Sequence, residues 1–92
     1  MFFEWDETKA TANLRKHRVS FEEASTVFGD PLSLTIDDSI HSEEESRFVT
    51  VGKAITGRLM VVIHSDRGEY IRIISARKAT RHERKQYEEY ED

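Results

Sequence analysis

Leu59 through Ile63 is the longest uninterrupted apolar run in the chain. Turn residues bound it, Thr56-Gly57 before and Arg67-Gly68 after, so residues 59–64 are predicted as a strand buried on both faces at the centre of a sheet. Its neighbours alternate instead. Over 47–54, Arg47, Val49, Val51 and Lys53 share a side. In the central run Arg58, Met60, Val62 and His64 do so. Over 69–76, Tyr70, Arg72, Ile74 and Ala76 oppose Ile71, Ile73, Ser75 and, beyond them, Arg77. Alternation kept to the end of that strand sends Arg72 and Arg77 to opposite faces. Short loops make these three strands an antiparallel meander. Leu32, Leu34 and Ile36 alternate with Ser33, Thr35 and Asp37, which predicts a further half-buried strand. Residues 2–5 are short and aromatic-rich, suited to an edge strand.

Helical spacing fills the rest. Asp6 is a good N-cap for a helix at 7–17, whose thin apolar face is Ala10 and Leu14. Asn13 and His17 share that face and read first as structural hydrogen-bonders; His17 also suits the negative end of the helix dipole. Ser20-x-x-Glu23 is a capping box, with Val19 and Ala24 placed as a hydrophobic staple. Phe21, Ala24, Val27 and Phe28 follow as core, and Gly29-Asp30-Pro31 ends the helix. Thr80-x-x-Glu83 is a second capping box and opens a final helix at 81–90. Apart from Tyr87 and Tyr90 that helix is nearly all charge, so weak docking is expected. The order β-α-α-β-β-β-β-α predicts an α+β fold: a helical hairpin on one face of a mostly antiparallel sheet, with the other face left for basic side chains.

Composition sharpens this picture. Ninety-two residues, 37% hydrophobic, suffice for one domain with one modest core. The lack of cysteine excludes disulfides, a zinc-thiolate site and a Cys nucleophile, and fits a reducing cytoplasm. No run of 18 apolar residues suggests a membrane span, and residues 1–6 do not read as a signal peptide. The net charge of −4 conceals an asymmetry. Residues 1–46 carry −7, residues 47–85 carry +7 and residues 86–92 carry −4. A phosphate backbone meets a local surface, so the basic segment points to nucleic acid. The plainer reading is that these charges neutralise one another inside the fold.

Candidate chemistry lies in the basic segment: Arg47, Lys53, His64, Arg72, Arg77, Arg81, Arg84, Lys85 and Tyr87. Arginine forks fit phosphate, a histidine on the same face titrates near neutrality, and an aromatic ring gives a base something to stack on. There is no Gly-rich phosphate loop and no G-x-S-x-G. The acidic stretch 37–46, with Asp37, Asp38, His41 and Glu43 to Glu45, reads as a solvated loop, because adjacent carboxylates in a flexible loop rarely converge on an ion. No metal and no cofactor is expected. The chemistry left is metal-free RNA cleavage, in which the substrate's 2′-OH attacks the adjacent phosphorus and leaves a 2′,3′-cyclic phosphate. DNA should be inert. The competing reading is a non-catalytic module that binds RNA or an acidic protein with the same face; such a binder needs charge but no histidine there.

Five segments carry a family resemblance: F-E-W-D-E-T-K (3–9), N-L-R-K-H-R-V-S-F-E-E-A (13–24), F-G-D-P-L (28–32), H-S-E-E-E-S-R-F-V-T-V-G (41–52) and I-R-I-I-S-A-R-K-A-T-R-H-E-R-K-Q-Y-E (71–88). In order and nearly end to end they resemble the BrnT family of bacterial type II toxins. The resemblance implies a RelE-like ribonuclease fold and RNA cleavage that halts translation. It also implies a BrnA antitoxin with a ribbon-helix-helix region, in a hetero-oligomer that binds promoter DNA through the antitoxin. By motif position the family's K-H falls on Lys16-His17, its sheet arginine on Arg47, its I-S-A-R on residues 74–77, and its E-R-x-x-Y on Glu83, Arg84 and Tyr87. The resulting reading has Arg47, Arg72 and Arg77 hold phosphate and stabilise the transition state. His64 or His17 moves the proton, Tyr87 or Arg84 completes the site, and Lys53, Arg81, Arg84 and Lys85 track the RNA. One departure stands out. The family usually places Gly after K-H, where a left-handed helix cap is wanted; Arg18 stands there, at a conformational cost of order 1 kcal/mol.

Overall fold

The apolar run does become the middle of the sheet. The structure is a computed structural model and describes residues 1–38 and 46–89. Five strands, β1 (Phe2–Glu4), β2 (Leu34–Asp37), β3 (Arg47–Lys53), β4 (Leu59–Arg67) and β5 (Tyr70–Lys78), lie in the order β1-β5-β4-β3-β2. β2 to β5 pair antiparallel, while β1 pairs parallel with β5 along the other edge. Between β1 and β2 come α1 (Glu7–His17), α2 (Phe21–Ser25) and a 3₁₀ turn at Thr26–Gly29; α3 (Arg81–Glu89) follows β5. The second helix is therefore shorter than predicted, its end tightened into the 3₁₀ turn. The metal reading of the acidic stretch falls largely on residues 39–45, outside the described residues, as does Tyr90. Among the described residues no helix is long and apolar enough to cross a membrane.

The core fills the space between the helical hairpin and one face of the sheet. Val19, Phe21, Ala24 and Val27 from the hairpin meet Met60, Val62, Ile73 and Ala76 from the sheet, all nearly or fully buried. Each large side chain so buried stabilises by about 1.5–3 kcal/mol. The hairpin reaches β3 closely because residue 52 is glycine: a Cβ there would sit 2.7 Å from Val27 Cγ1 and 2.9 Å from Ser33 Cβ.

Polar ties fix the hairpin on the sheet. Asn13, buried in place of the exposed Leu14, donates to Val19 O at 3.0 Å and Ala76 O at 2.9 Å, and accepts from Ala76 N–H at 3.1 Å. Its role is structural, as the sequence suggests. Arg18 does cap α1 in the left-handed region, with φ 60° and ψ 32°. Its N–H donates to Leu14 O, and its own carbonyl accepts from Arg58 Nη2 at 3.0 Å. The capping box at Ser20 is half formed. Ser20 Oγ accepts from Glu23 N–H, but the Glu23 carboxylate is drawn away to Thr56 Oγ1 and to a two-pronged pair with Arg58, at 2.9 and 2.5 Å. On the far edge β2 starts at Leu34, and Leu32 and Ile36 are exposed, so only Leu34 of the three keeps a half-buried position.

Candidate functional site

The site is made by an irregularity in β5. Ile63 lies opposite Ser75 but the next residue, His64, lies opposite Ile73, so Ile74 has no partner on β4. This extra residue is a β-bulge, and it shifts the phase of alternation. Before it Ile73 faces the hairpin, and after it Ala76 does, three positions on. Arg72 and Arg77 consequently share the face turned away from the hairpin. This corrects the opposite-face expectation, which assumed a regular strand.

The register then places the charges in rows. Arg47, Ser65 and Arg72 lie directly opposite one another across β3, β4 and β5, and Glu4 of β1 extends the row past Arg72. Neighbours in such a row stand about 4.8 Å apart. Ser65 is fully buried in this row, and its Oγ finds no hydrogen-bond partner among the described residues. The Glu4 carboxylate lies 3.9 Å from Arg72 Nη1 and 3.7 Å from Arg67 Nε. Nearer the other end of the sheet, Val51, Val61 and Arg77 form a second row. Exposed Lys53 sits at the end of β3 on the same side, its backbone N–H held by Asp30.

Helix α3 borders this open face. Glu83, Gln86 and Tyr87 line an apolar groove with Leu34, Ile36, Val49 and Val51. Its start is clamped: Arg77 donates to both Glu83 oxygens at 2.8 Å, Glu83 Oε1 accepts from Thr80 N–H at 2.8 Å, and Thr80 Oγ1 accepts from Glu83 N–H at 3.2 Å. The hydrogen bonds from Arg77 are the main force holding the Glu83 carboxyl down at about 2. Its other end is anchored by Tyr87, only 3% exposed, whose hydroxyl donates to Asp30 Oδ2 at 2.5 Å. The weak docking expected from composition is thus corrected. So is the idea of Tyr87 as a stacking platform, because its ring is inside. Arg81, Arg84 and Lys85 stay exposed on the outer side of α3.

Neither candidate histidine, His64 nor His17, joins the arginines. His64 alternates onto the hairpin side, 5% exposed, edge-on to Phe28 at 4.8 Å and stacked on Phe48 at 5.9 Å. Its Nε2 lies 2.7 Å from Thr50 Oγ1, which lies 2.8 Å from Thr35 Oγ1; its Nδ1 has no partner among the described residues. Burial pushes its pKa down to about 4, against a smaller opposing pull from Asp66. A group neutral at pH 7 inside the core replaces the surface histidine read from the sequence. His17, half-buried at the end of α1, belongs to the hairpin layer as well. What the sequence reading missed on the open face is Glu4 and Ser65. Glu4 could be paired with Arg72 only by knowing that β1 runs parallel to β5.

Comparison with known proteins agrees with this architecture. A search of curated proteins finds no match. Among solved structures, the 1.1 Å crystal structure of the Brucella abortus ribonuclease toxin BrnT superposes with a TM-score of 0.66 at 20% identity, over 88% of this chain and 100% of that one. That likeness establishes the shared α+β fold. A family model described as the ribonuclease toxin, BrnT, of type II toxin–antitoxin systems matches residues 5–83. That span runs from Trp5, just after β1, to Glu83, the residue clamped by Arg77, and the chain belongs to the BrnT family of ribonuclease toxins.

Proposed function

We propose that this protein is an endoribonuclease that cuts RNA without a metal ion, using the substrate's own 2′-hydroxyl as nucleophile. The observation that carries this reading is the bulge-made alignment of Arg72 with Arg47 across Ser65. Two guanidinium forks in one row match the oxygens of a phosphodiester. The attack adds negative charge at phosphorus, and cations already fixed on a rigid sheet stabilise that charge without reorganising. Arg77, held by Glu83, positions α3, and the outer Arg81, Arg84 and Lys85 together with Lys53 extend the positive surface for flanking phosphates. Cutting RNA in the cytoplasm inhibits translation. The partner we propose is a BrnA-like antitoxin with a ribbon-helix-helix region, which covers the basic face and carries the promoter-binding function of the hetero-oligomer.

The test is cleavage of single-stranded RNA by purified protein in EDTA. Products should end in 2′,3′-cyclic phosphate, an all-deoxy strand should stay whole, and Arg72→Ala should lose a factor on the order of 10². Cleavage that needs an added divalent metal, or that survives Arg72→Ala undiminished, overturns the reading. The burial of His64 favours a second one: a module that binds RNA through the same face without catalysis. Such a binder would hold RNA with steep salt dependence and release it uncut.

A further inference from the structure

Cleavage through the 2′-hydroxyl needs a group that takes its proton; His64 and His17 lie across the sheet from the arginine row, and exposed His82 stands on α3, whose start is clamped to Arg77 in the other row. Among the described carboxylates near the open face, Glu83 is committed to Arg77 through two hydrogen bonds at 2.8 Å. Asp30 already accepts from Tyr87, Lys53 and Leu32. Glu4 differs. It ends the Arg47–Ser65–Arg72 row, keeps 36% of its side-chain surface exposed, and meets Arg72 and Arg67 only at 3.9 and 3.7 Å, beyond hydrogen-bond reach. The facing titratable or charged groups are Arg72 on β5, Arg67 on β4, and Tyr70 two positions before Arg72 on the same face.

We propose that Glu4 is the general base of the cleavage reaction, one strand away from the phosphate held by Arg72 and Arg47. This rests on the open face being the cleavage site. A phosphate arriving on Arg72 takes over the guanidinium's charge and turns the Glu4 carboxylate towards the hydroxyl next to phosphorus. Glu4 takes the 2′-OH proton as that oxygen bonds to phosphorus. The P–O5′ bond breaks, the 5′ oxygen keeps its electron pair and takes a proton from water, and Glu4 returns its own proton to solvent. The sheet register makes this geometry rigid: Phe3, next to Glu4, is packed on Phe28 on the hairpin side, so β1 presents Glu4 to the opposite face.

A carboxylate that merely neutralised Arg72 and Arg67 would behave otherwise, and kinetics separates the two. Single-turnover cleavage of a short RNA is measured across pH for wild type, Glu4→Gln and Glu4→Asp, with RNA affinity and melting temperature measured on each. The expected result is a loss of 10²–10⁴ in rate for Glu4→Gln at equal or tighter RNA binding, with the acidic limb of the pH–rate profile gone and partial activity retained by Glu4→Asp. Glu4→Gln cleaving at the wild-type rate, or keeping the acidic limb, overturns the proposal while leaving the nuclease reading standing. Wild-type protein that binds RNA and never cuts it removes the nuclease reading and this proposal with it.

Discussion

The buried imidazole makes the fold acid-labile in a definable window. In the unfolded chain His64 takes a proton near pH 6.5. In the fold it refuses one until about pH 4, because Phe28 and Phe48 enclose the ring and Nδ1 has no acceptor among the described residues to receive a new N–H. Between those values the unfolded state binds more protons, so stability must fall as pH falls. Above about 6.5 the contribution is complete; below about 4 no more is lost from this group. The gap corresponds to about 3 kcal/mol, a large share of the 5–15 kcal/mol typical of a domain. Urea unfolding at pH 8, 7, 6, 5 and 4 measures the slope directly, and His64→Gln supplies the reference, since an amide can still meet Thr50 and does not titrate. The variant should be weaker at pH 7 and should lack the wild-type decline between pH 6.5 and 4. An identical pH slope in both proteins would show that His64 is not the group responsible. Glu83 contributes in the same direction only below its usual range, as pH falls through its own value of about 2, so the two effects are separated on the pH axis.

Two further outcomes follow from the backbone and from the α3 anchor. Arg18→Gly should stabilise by about 1 kcal/mol, raising the melting temperature by roughly 4–8 °C, because it relieves a left-handed residue and keeps both backbone hydrogen bonds of position 18. Arg18→Ala retains the strained φ and should show no such rise; equal gains in both variants would assign the effect to charge. Tyr87→Phe removes one hydrogen bond to the Asp30 carboxylate and should cost about 1.5–3 kcal/mol. Amide exchange within Arg81–Glu89 should accelerate more than that of β4, and uniform acceleration would mean that α3 does not open on its own.

What could be read from the chain was the local grammar. Period-two and helical spacing, two capping boxes and the apolar run place every strand and α-helix of the described fold, though not the 3₁₀ turn that ends the second helix, and Leu59–Arg67 takes the central position that its apolar half demands. What could not be read was partnership. The sequence shows Glu23 as a capping-box residue and Arg58, thirty-five residues on, as one charge beside the central run, whereas the fold joins them into the tie that fastens the hairpin to the β3–β4 turn. Tyr87 looks, with Tyr90, like a weak grip of a charged helix, and its strength depends on Asp30, a residue whose place in Gly29-Asp30-Pro31 reads as the end of the preceding helix. His64 fails for a different reason. A histidine at the end of an apolar run fits either face, and only the identity of its cross-strand neighbours, Phe48 and Ile73, decides that it goes inside.

The bulge is written in the spacing of β5 itself. In Y-I-R-I-I-S-A-R the core takes Ile73 and Ala76, three apart, while Arg72 and Arg77 are five apart. Both spacings are odd, and a strict two-residue period cannot satisfy either pair. A regular β5 that buried Ile73 would also have turned Arg77 towards Met60 and the hairpin and exposed Ala76 in its place. A guanidinium forced there without a partner costs several kcal/mol, far more than one unpaired position in a ladder. The chain therefore avoids burying a cation by bulging Ile74 out of the ladder, and the same bulge brings both arginines to one side. The bulge that keeps the core apolar is thus also what assembles the basic face. Deleting Ile74 would make both spacings even, so a regular β5 would still bury Ile73 and Ala76 and keep both arginines on the open face; with Ile74 present, the bulge alone reconciles the folding constraint with the candidate site.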